Sequence, residues 1–518
     1  MEAPHFKLED HRTVLRLLHH NNYLAKIDLK DAYFLLSMQK KYRKYLRFKF
    51  RNVMYEFNSL PFGLSVAPFI FTKIMKQVAG FLRKLNILLI FYLDDILLLA
   101  DSKSQCIKNI KTTTQLLENL GFIININKSV LQPEQTINFF GFSFNSASLK
   151  ISLPEKNIYS IKQKIKQFKR KIQCTVRVFA QLLGKLVASC PATKYGFAHL
   201  KILEIIKHSA IRSDYQNYNK KMEICDSIRN ELSWWENNIG KGQDIKPHQF
   251  KLEIFSDASP TGWGAFCGKN TFHGFWDKNE SQMHINYLEI KAAYYALSSL
   301  TKNKTNIRIL LRIDNQTAIS CINRGGSVRF HHLNDATRLI WEWCENKNIS
   351  IFASYITSSE NFKADKESRS LSIDTEYQLN LYAFTKIIQN FGEPEIDLFA
   401  SRINNKCKKY ISWFPDPSSF SVDAFTISWT ACYFYAFPPF SCIPRVLEKI
   451  IEEKALGIMV VPNWPSQPWF PIFQKLLTED PIYFKPNPSL LLSPFRTSHP
   501  LCKELSLVAG KLSGSLIK

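Results

Sequence analysis

A pair of adjacent aspartates lies between two apolar runs of this sequence. Asp94 and Asp95 follow a Tyr-Leu pair, with Leu88–Phe91 before them and Ile96–Leu99 after them. The pattern predicts a β-hairpin with two carboxylates at its tight turn. Adjacent like charges repel, and a divalent cation offsets that cost because Mg²⁺ prefers carboxylate oxygens. An isolated pair of this kind is commonly a solvated turn, so the interpretation depends on its context.

A third aspartate ends another predicted strand. Asp28 closes an apolar run over Leu24–Leu29, and a Leu-Pro-Phe-Gly turn leads into a helix predicted over Val66–Leu85. A further helix is predicted over Lys103–Leu120, with Gly121 as its C-terminal cap. An aspartate from one strand and a pair from a neighbouring hairpin can hold two cations about 4 Å apart, which suits phosphoryl transfer.

In this order, the motifs of residues 23–144 resemble the palm of a reverse transcriptase. The resemblance implies that Asp28, Asp94 and Asp95 are catalytic and bind two ions of Mg²⁺, with Mn²⁺ as the alternative. It implies that Tyr33 crowds the sugar 2′ position and that Lys128 donates a proton to pyrophosphate. It also implies that Phe62 and Gly63 form a loop that contacts the nucleotide and the template. Phe140 and Gly141 are implied to lie in the primer grip.

One departure concerns the start of the chain. Family members carry finger strands with basic triphosphate contacts before the first aspartate, whereas 27 residues precede Asp28 here. The chain is therefore expected to be an N-terminally truncated copy with partial fingers. This leaves two alternatives to polymerisation, a non-polymerising nucleic-acid-binding remnant and a nuclease-only protein.

A second set of acids lies in a strand–helix–strand–helix pattern over residues 250–370. Asp257 ends one predicted strand, Glu289 lies in a predicted helix, Asp314 follows an apolar strand, and Asp365 comes later. Clustering four carboxylates is costly unless cations bind between them. Their order and contexts resemble a ribonuclease H domain, which implies that these four acids bind two metal ions and cleave the RNA of an RNA–DNA hybrid. Tyr355 stands where the family often has a histidine in a product-release loop.

Between the two acid sets lies a basic amphipathic stretch. Isoleucine and phenylalanine recur at helical spacing, at Ile158, Ile161, Ile165, Phe168 and Ile172, among many lysines. The stretch resembles a reverse transcriptase thumb and connection over residues 151–245, which implies contacts with the phosphates of a duplex and strong salt dependence. The Lys241–Lys246 segment is predicted to be a linker.

The C-terminal segment, residues 371–518, is rich in proline and tryptophan. A reverse transcriptase and ribonuclease H followed by such a segment resembles a DIRS-type, tyrosine-recombinase retroelement. Tyr435-Ala436-Phe437-Pro438-Pro439-Phe440 faintly resembles the catalytic loop of Dam-like adenine methyltransferases, but Phe437 takes the position of a polar residue. The segment is interpreted as a decayed or repurposed module for packing or nucleic-acid binding, with a plain proline-rich loop as the alternative.

The amino-acid composition indicates which partners the protein binds and where in the cell it is found. The 68 basic and 44 acidic residues give a net charge of +24, which indicates a polyanionic partner, nucleic acid or an anionic membrane surface. The 45% hydrophobic and 13% aromatic residues exclude a disordered chain. Eleven cysteines without a CxxC pair indicate reduced thiols rather than a disulfide framework or zinc knuckle. Since no signal peptide or membrane span is recognisable, an intracellular protein, cytoplasmic or nuclear, is expected.

These interpretations combine into one prediction. The fold class is α+β and α/β multidomain: a reverse transcriptase palm with partial fingers at 1–150, a thumb and connection at 151–245, a ribonuclease H-like mixed sheet with helices at 250–370, and a C-terminal α/β segment at 371–518. The predicted function is RNA-directed DNA polymerase with ribonuclease H activity. The predicted partners are an RNA template, a DNA primer, the RNA–DNA hybrid, deoxynucleoside triphosphates and other retroelement-encoded proteins, with no membrane.

Overall fold

The chain forms two compact units, residues 1–247 and 248–518, in a computed structural model. The structure describes residues 6–212, 217–245, 249–370, 377–493 and 499–516. Both units combine helices and sheets, so the predicted mixed α/β multidomain architecture is confirmed. The boundary falls beside the predicted junction between residues 245 and 250.

The first unit begins with an antiparallel sheet and continues into a helical part. Its elements are α1 (His11–Leu17), β1 (Tyr23–Lys30), α2 (Lys40–Arg43), β2 (Arg47–Phe50), β3 (Val53–Glu56), α3 (Ala67–Lys84), β4 (Leu88–Tyr92), β5 (Asp95–Ala100), α4 (Lys103–Asn119), β6 (Ile123–Ile124), β7 (Val130–Glu134), β8 (Thr136–Phe139), β9 (Phe142–Asn145), β10 (Lys150–Ser152), α5 (Glu155–Lys169), β11 (Gln173–Thr175), α6 (Val176–Ser189), α7 (Gly196–Arg212), β12 (Lys221–Glu223), α8 (Asp226–Asn238) and β13 (Gln243–Asp244).

The first sheet has the strand order β4-β5-β1-β6, and β7 also pairs with β1. Helices α3 and α4 cover one face of it. Buried Phe71, Met75, Val78 and Leu82 on α3 follow helical spacing and pack with the inward residues of β1, β4 and β5. The strands flanking Asp94 and both long helices thus lie within a residue or two of their predicted positions.

The helical part of the first unit packs on a second sheet, of strand order β13-β10-β9-β8. The predicted basic helix is α5, and it buries Ile161, Ile165 and Phe168 against the core. Ile172, predicted to continue this apolar stripe, lies beyond the helix and is 74% exposed. The predicted linker contains β13, which pairs with β10 and so belongs to the sheet. Lys246 lies outside the described residues.

The second unit contains two larger sheets. Its elements are β14 (Leu252–Ala258), β15 (Gly262–Cys267), β16 (Asn270–Phe275), α9 (Ile285–Leu300), β17 (Arg308–Ile313), α10 (Gln316–Asn323), α11 (His331–Asn346), β18 (Ser350–Tyr355), α12 (Phe362–Ser368), β19 (Gln378–Leu379), α13 (Leu381–Phe391), β20 (Ile396–Asp397), β21 (Lys409–Ser412), β22 (Ser421–Val422), β23 (Phe434–Ala436), α14 (Ile443–Glu452), β24 (Leu456–Pro462), α15 (Phe470–Lys475), β25 (Ile482–Phe484), β26 (Leu491–Leu492) and β27 (Leu507–Ser513).

The first of these sheets is mixed, with the order β16-β15-β14-β17-β18. Strands β14, β17 and β18 run parallel, and β15 and β16 form an antiparallel meander beside them. Helix α9 packs on β14 and β15 through an almost wholly buried apolar surface. Since β14 and β17 are parallel neighbours, the acids at their carboxyl ends meet at one edge of the sheet.

The second sheet of this unit has the order β22-β21-β20-β23-β24-β27-β25. The strands from β22 to β24 are parallel, whereas β27 is antiparallel to both of its neighbours. Chain order therefore reverses between β20 and β23, as it does in doubly wound sheets. Within the described residues, no helix combines the length and apolarity needed to cross a bilayer.

Candidate active sites

The antiparallel register of β1 and β5 brings the first three aspartates to one end of the sheet. Asp28 is the direct partner of Asp95, and the Leu29 N–H donates to the Asp94 carbonyl oxygen at 2.9 Å. The backbone of Asp28 is held from its other side, since its N–H donates to Ser129 Oγ at 3.0 Å. The pairing of β1 with β5 thus fixes the positions of these aspartates at the end of the two strands.

Lys26 lies beside this group, and its ammonium is 2.8 Å from Asp95 Oδ1. Burial raises the pKa of Asp95, Lys26 lowers it, and the nearby charges of Asp94 and Asp28 raise it again. Three carboxylates with one lysine form an electronegative site that suits hard cations. Among the described residues, their ligand atoms are not drawn together as tightly as those of the second acid set.

The turn that carries Asp94 is strained. Leu93 adopts a φ of +54°, a left-handed conformation that branched side chains seldom take. Above the turn, the ring of Tyr92 packs edge-on against Phe140 at 5.2 Å between centroids. Phe140 and Gly141, the predicted primer grip, form the left-handed turn between β8 and β9, with φ of +52° and +78°. The structure therefore places this turn against the aspartate hairpin.

The predicted nucleotide contacts Tyr33 and Phe62 form an aromatic cluster with Phe71. Tyr33 packs edge-on against Phe62, with the ring centroids 4.9 Å apart, and against Phe71 at the same distance. Burial raises the pKa of Tyr33, and the charge of Asp94 adds to the effect, so the hydroxyl lies within the field of the aspartates. Phe62 is 56% exposed, and Gly63 after it has a φ of +87°, which only glycine adopts freely.

Lys128 lies in the turn between β6 and β7. Its N–H donates to the Asn125 carbonyl oxygen at 3.2 Å, and Asn125 in turn donates its own N–H to the Asp28 carbonyl oxygen at 2.8 Å. The backbone of this turn is therefore tied to the first aspartate. Lys128 stays a predicted substrate contact.

The second acid set is tightly clustered. Within the part of the chain that the structure describes, Asp257, Glu289 and Asp314 form the one group of three acidic, histidine or cysteine side chains whose ligand atoms all lie within 4.8 Å of one another. Asp257 comes from the end of β14, Glu289 from the first turns of α9, and Asp314 from the residue after β17. Asp257 and Glu289 are buried, and Asp314 is half-buried.

Two serines hold the aspartates of this set. Ser368 Oγ on α12 donates to Asp257 Oδ2 at 2.6 Å, and Ser358 Oγ donates to Asp314 Oδ2 at 2.7 Å. Glu289 Oε2 is buried and has no hydrogen-bond partner among the described residues. An orphaned, buried carboxylate oxygen beside two aspartates is expensive to maintain, and a cation would satisfy it.

The pKa values of Glu289 and Asp257 are raised, and a bound cation would lower them by stabilising the ionised carboxylates. Burial, and then the charges of Asp257 and Asp314, raise the pKa of Glu289 to about 9. Burial is also the main cause that raises the pKa of Asp257 to about 6, against the hydrogen bond from Ser368. The residues present therefore fit a divalent cation bound through carboxylate oxygens.

Asp365, the fourth predicted acid, is not part of the tight group. It lies on α12 with its Oδ1 2.7 Å from Arg369 Nη2, and its charge contributes to the raised pKa of Asp257. Tyr355 ends β18 and is 50% exposed. The structure thus assembles three of the four acids and leaves Asp365 at the rim, paired with an arginine.

The residues that sequence reasoning missed are the partners of the acids. Ser368 comes three residues after Asp365, but its bond to Asp257 spans 111 residues of the chain. Lys26 is visible as a basic residue two positions before Asp28, and strand alternation places both on one face of β1. That alternation is the signal that could have identified Lys26. For the two serines the sequence carries no comparable signal.

Known proteins resemble parts of this chain. Residues 1–144 match the family model described as reverse transcriptase (RNA-dependent DNA polymerase). "Protein P" of hepatitis B virus genotype D is 25% identical over 292 residues, which are 55% of this chain and 32% of that protein. The "Transposon Tf2-3 polyprotein" of Schizosaccharomyces pombe is 31% identical over 118 residues, which are 23% of this chain and 9% of that protein.

The chain thus spans a third or less of the length of these curated relatives. Among solved structures, the foamy viral protease-reverse transcriptase dRH in complex with double-stranded DNA is similar, with a TM-score of 0.43 and 15% identity. That match covers 68% of this chain and 60% of the viral chain.

Proposed function

We propose that this chain, whose residues 1–144 belong to the reverse transcriptase family, is an RNA-directed DNA polymerase that extends a DNA primer along an RNA template. The observation that carries the proposal is the register of β1 and β5, which pairs Asp28 with Asp95 beside the Asp94 turn. The aromatic cluster of Tyr33 and Phe62, and the packing of the Phe140 turn against Tyr92, support it.

Each element of this site has a proposed task. Asp28, Asp94 and Asp95 would hold two ions of Mg²⁺ or Mn²⁺, which when bound favour the deprotonated primer 3′-hydroxyl and stabilise charge on the leaving pyrophosphate. The Tyr33 ring excludes a sugar 2′-hydroxyl, and the Phe62-Gly63 loop contacts the incoming deoxynucleoside triphosphate. Phe140 and Gly141 orient the primer end, and Lys128 supplies a proton to pyrophosphate.

A second activity, ribonuclease H cleavage of the RNA–DNA hybrid, is proposed for the second unit. The tight group of Asp257, Glu289 and Asp314, with its orphaned Glu289 oxygen, favours it. These three residues would hold the metal ions, which when bound supply a nucleophilic water at neutral pH. Ser368 and Ser358 fix the aspartate rotamers, and Asp365 contributes from the rim of the site.

The origin of the chain and the role of residues 371–518 are proposed from their resemblances. A DIRS-type retroelement accounts for the order of the segments, and other proteins of the element are proposed partners. The reversal of strand order in the C-terminal sheet supports an α/β module similar to Dam-like methyltransferases. Phe437 directly follows β23 and offers no polar atom there, so a binding or packing role is proposed rather than methyl transfer.

The test is primer extension on an RNA template with Mg²⁺, run with labelled RNA so that cleavage is read in the same assay. Extension that is lost in Asp94→Asn but kept in Asp314→Asn, with the opposite pattern for cleavage, would support both activities. RNA cleavage without extension would leave the nuclease-only alternative. A folded chain that binds hybrid but yields neither product would contradict the enzyme proposal and leave a non-polymerising remnant.

A further inference from the structure

A buried arginine connects the C-terminal sheet to the mixed sheet that carries the second acid set. Arg402 lies in the segment after β20, where its N–H donates to Asp416 Oδ2 at 3.0 Å. Its side chain is 17% exposed, and its Nη2 donates to the Phe275 carbonyl oxygen and to Glu280 Oε2, both at 2.8 Å. Because a guanidinium is a planar fork, it fixes these two acceptors relative to each other. Arg402 therefore holds the end of β16 and the turn after it.

The first connection from Arg402 to the acids runs through helix α9. Glu280 Oε1 accepts from the Tyr295 hydroxyl and lies 3.4 Å from Lys291 Nζ. The Arg402 guanidinium also lies 4.5 Å from the centre of the Tyr295 ring. Lys291 and Tyr295 are four residues apart, so they share one face of the helix. Contacts at two points of one face fix the rotation of α9 about its axis, and this rotation sets the position of Glu289.

The second connection is a chain of buried hydrogen bonds that ends at Asp257. Trp276 follows the carbonyl group that the arginine holds, and its Nε1 donates to the Ser259 carbonyl oxygen at 2.8 Å. Ser259 Oγ donates to the Ser368 carbonyl oxygen at 2.6 Å. Ser368 Oγ in turn donates to Asp257 Oδ2, also at 2.6 Å. The two buried acids of the tight group are thus both linked to Arg402 through buried contacts.

Charge alone does not explain the position of Arg402. Glu280 already has Lys291 as a cationic partner, and the Phe275 carbonyl group is neutral. What Arg402 adds is a fixed geometry at the start of both connections. Side chains that orient metal ligands from behind change metal affinity or activity by about 10–100-fold when they are removed.

We propose that Arg402 is a positioning residue of the second acid set, through which the C-terminal segment holds Asp257 and Glu289 in the arrangement that binds metal. This role rests on the nuclease activity proposed above, and it adds to that site a residue from outside residues 250–370. It also gives the C-terminal segment a task that requires no ligand of its own, since the segment supports the nuclease site from behind.

The test compares the unaltered full chain with Arg402→Met, Arg402→Lys and Val446→Ala. Val446 is buried among apolar residues of the C-terminal sheet, so Val446→Ala is the control for a loss of stability alone. Lysine keeps the charge but does not hold two acceptors in one plane, so Arg402→Lys separates charge from geometry. Hydrogen exchange over α9 and α12 is followed in EDTA and during a titration with Mg²⁺, beside an assay of RNA cleavage.

Without metal, exchange over α9 and α12 is expected to be faster in Arg402→Met than in Val446→Ala, because both connections to the acids are then released. The Mg²⁺ concentration that gives half of the protection over α9 is expected to rise about tenfold in Arg402→Met. It should rise less in Arg402→Lys and stay unchanged in Val446→Ala. The Mg²⁺ dependence of RNA cleavage should shift in the same order.

Two results would overturn the proposal. One is a half-saturating Mg²⁺ concentration in Arg402→Met that equals that of Val446→Ala, and the other is exchange in EDTA that is no faster in Arg402→Met than in this control. If Arg402→Met does not fold, Arg402→Lys is judged by the same two results. If the unaltered chain neither cleaves RNA nor responds to Mg²⁺ at α9, the proposed nuclease fails instead, and exchange in EDTA decides whether Arg402 positions the acids.

Discussion

At the residue level, Lys26 is the cation that faces the aspartates of the proposed polymerase site when no metal is bound. Its ammonium lies 2.8 Å from Asp95, whose partly buried carboxylate also faces Asp94 and Asp28. We expect Lys26→Met to lower the metal-free thermal midpoint by about 2–4 °C, because three carboxylates are then left without a cation. The same change should enlarge the rise in midpoint that Mg²⁺ produces, since it removes a positive charge from beside the ions.

Scanning calorimetry with and without Mg²⁺ measures both effects. Lys30→Met is the matched control, because Lys30 lies on the same strand but is exposed. A Mg²⁺-induced rise that is no larger in Lys26→Met than in Lys30→Met would argue against metal binding at these aspartates.

Glu289 should make the metal-free chain less stable as the pH rises. Its pKa is about 9 in the folded chain against an ordinary 4.5, so the folded state binds the proton more tightly than the unfolded state does. This contribution to stability is complete below pH 4.5 and is lost as the pH rises toward about 9. We expect the unfolding midpoint without metal to fall across this range, and to fall less in Glu289→Gln.

Thermal melts at several pH values in EDTA test this expectation. Added Mg²⁺ should flatten the profile of the unaltered chain, because a cation stabilises the ionised carboxylate. Identical slopes for Glu289→Gln and the unaltered chain would contradict the assignment.

At the level of secondary-structure elements, α5 and α6 bring lysines together on a face that we predict binds a duplex. Lys164 on α5 lies close enough to Lys185 on α6 to lower the pKa of Lys185. Two neighbouring lysines repel unless an anion lies between them, and a phosphate of a nucleic acid supplies one. Each lysine that neutralises a phosphate adds about 0.9 to the steepness of log K against log salt, so Lys164→Gln with Lys185→Gln should make that slope shallower by about 2.

Fluorescence anisotropy of a labelled RNA–DNA hybrid over a range of salt measures this slope. Lys169→Gln is the comparison, because Lys169 is already paired with Glu236 at 3.0 Å and should change the slope less. A double variant with the slope of the unaltered chain would contradict the predicted binding of the duplex to this face.

The elements also show what the sequence could predict. Strands β1, β4 and β5 and helices α3 and α4 carry strong apolar periodicity, and the three aspartates lie on the strand and hairpin that this periodicity predicts. Strand β13 has two residues and exists only through its pairing with β10, so no local pattern announces it. Ser368 and Asp257 meet only because α12 packs on β14, which is a tertiary event.

At the level of the whole molecule, the proline- and tryptophan-rich composition of residues 371–518 predicts a domain separate from residues 250–370. The fold instead joins the two segments in one unit. The reason is a buried junction. Arg402 from the C-terminal segment reaches Glu280, which also lies 3.4 Å from Lys291 and accepts from the Tyr295 hydroxyl. A charged network of this kind, with partners 122 residues apart, has no sequence signature.

This junction predicts how the chain can be divided. Each unit has its own buried cores, so fragments 1–245 and 249–518 are expected to fold separately. Fragment 249–370 should be much less stable, since the buried Glu280 then loses Arg402 and keeps only Lys291 of its two charge partners. Circular dichroism melts of the three fragments check this order.

RNA cleavage should persist in folded 249–518 and vanish in its Asp314→Asn variant. A folded but inactive 249–518 beside an active full chain would show that the proposed nuclease needs the first unit.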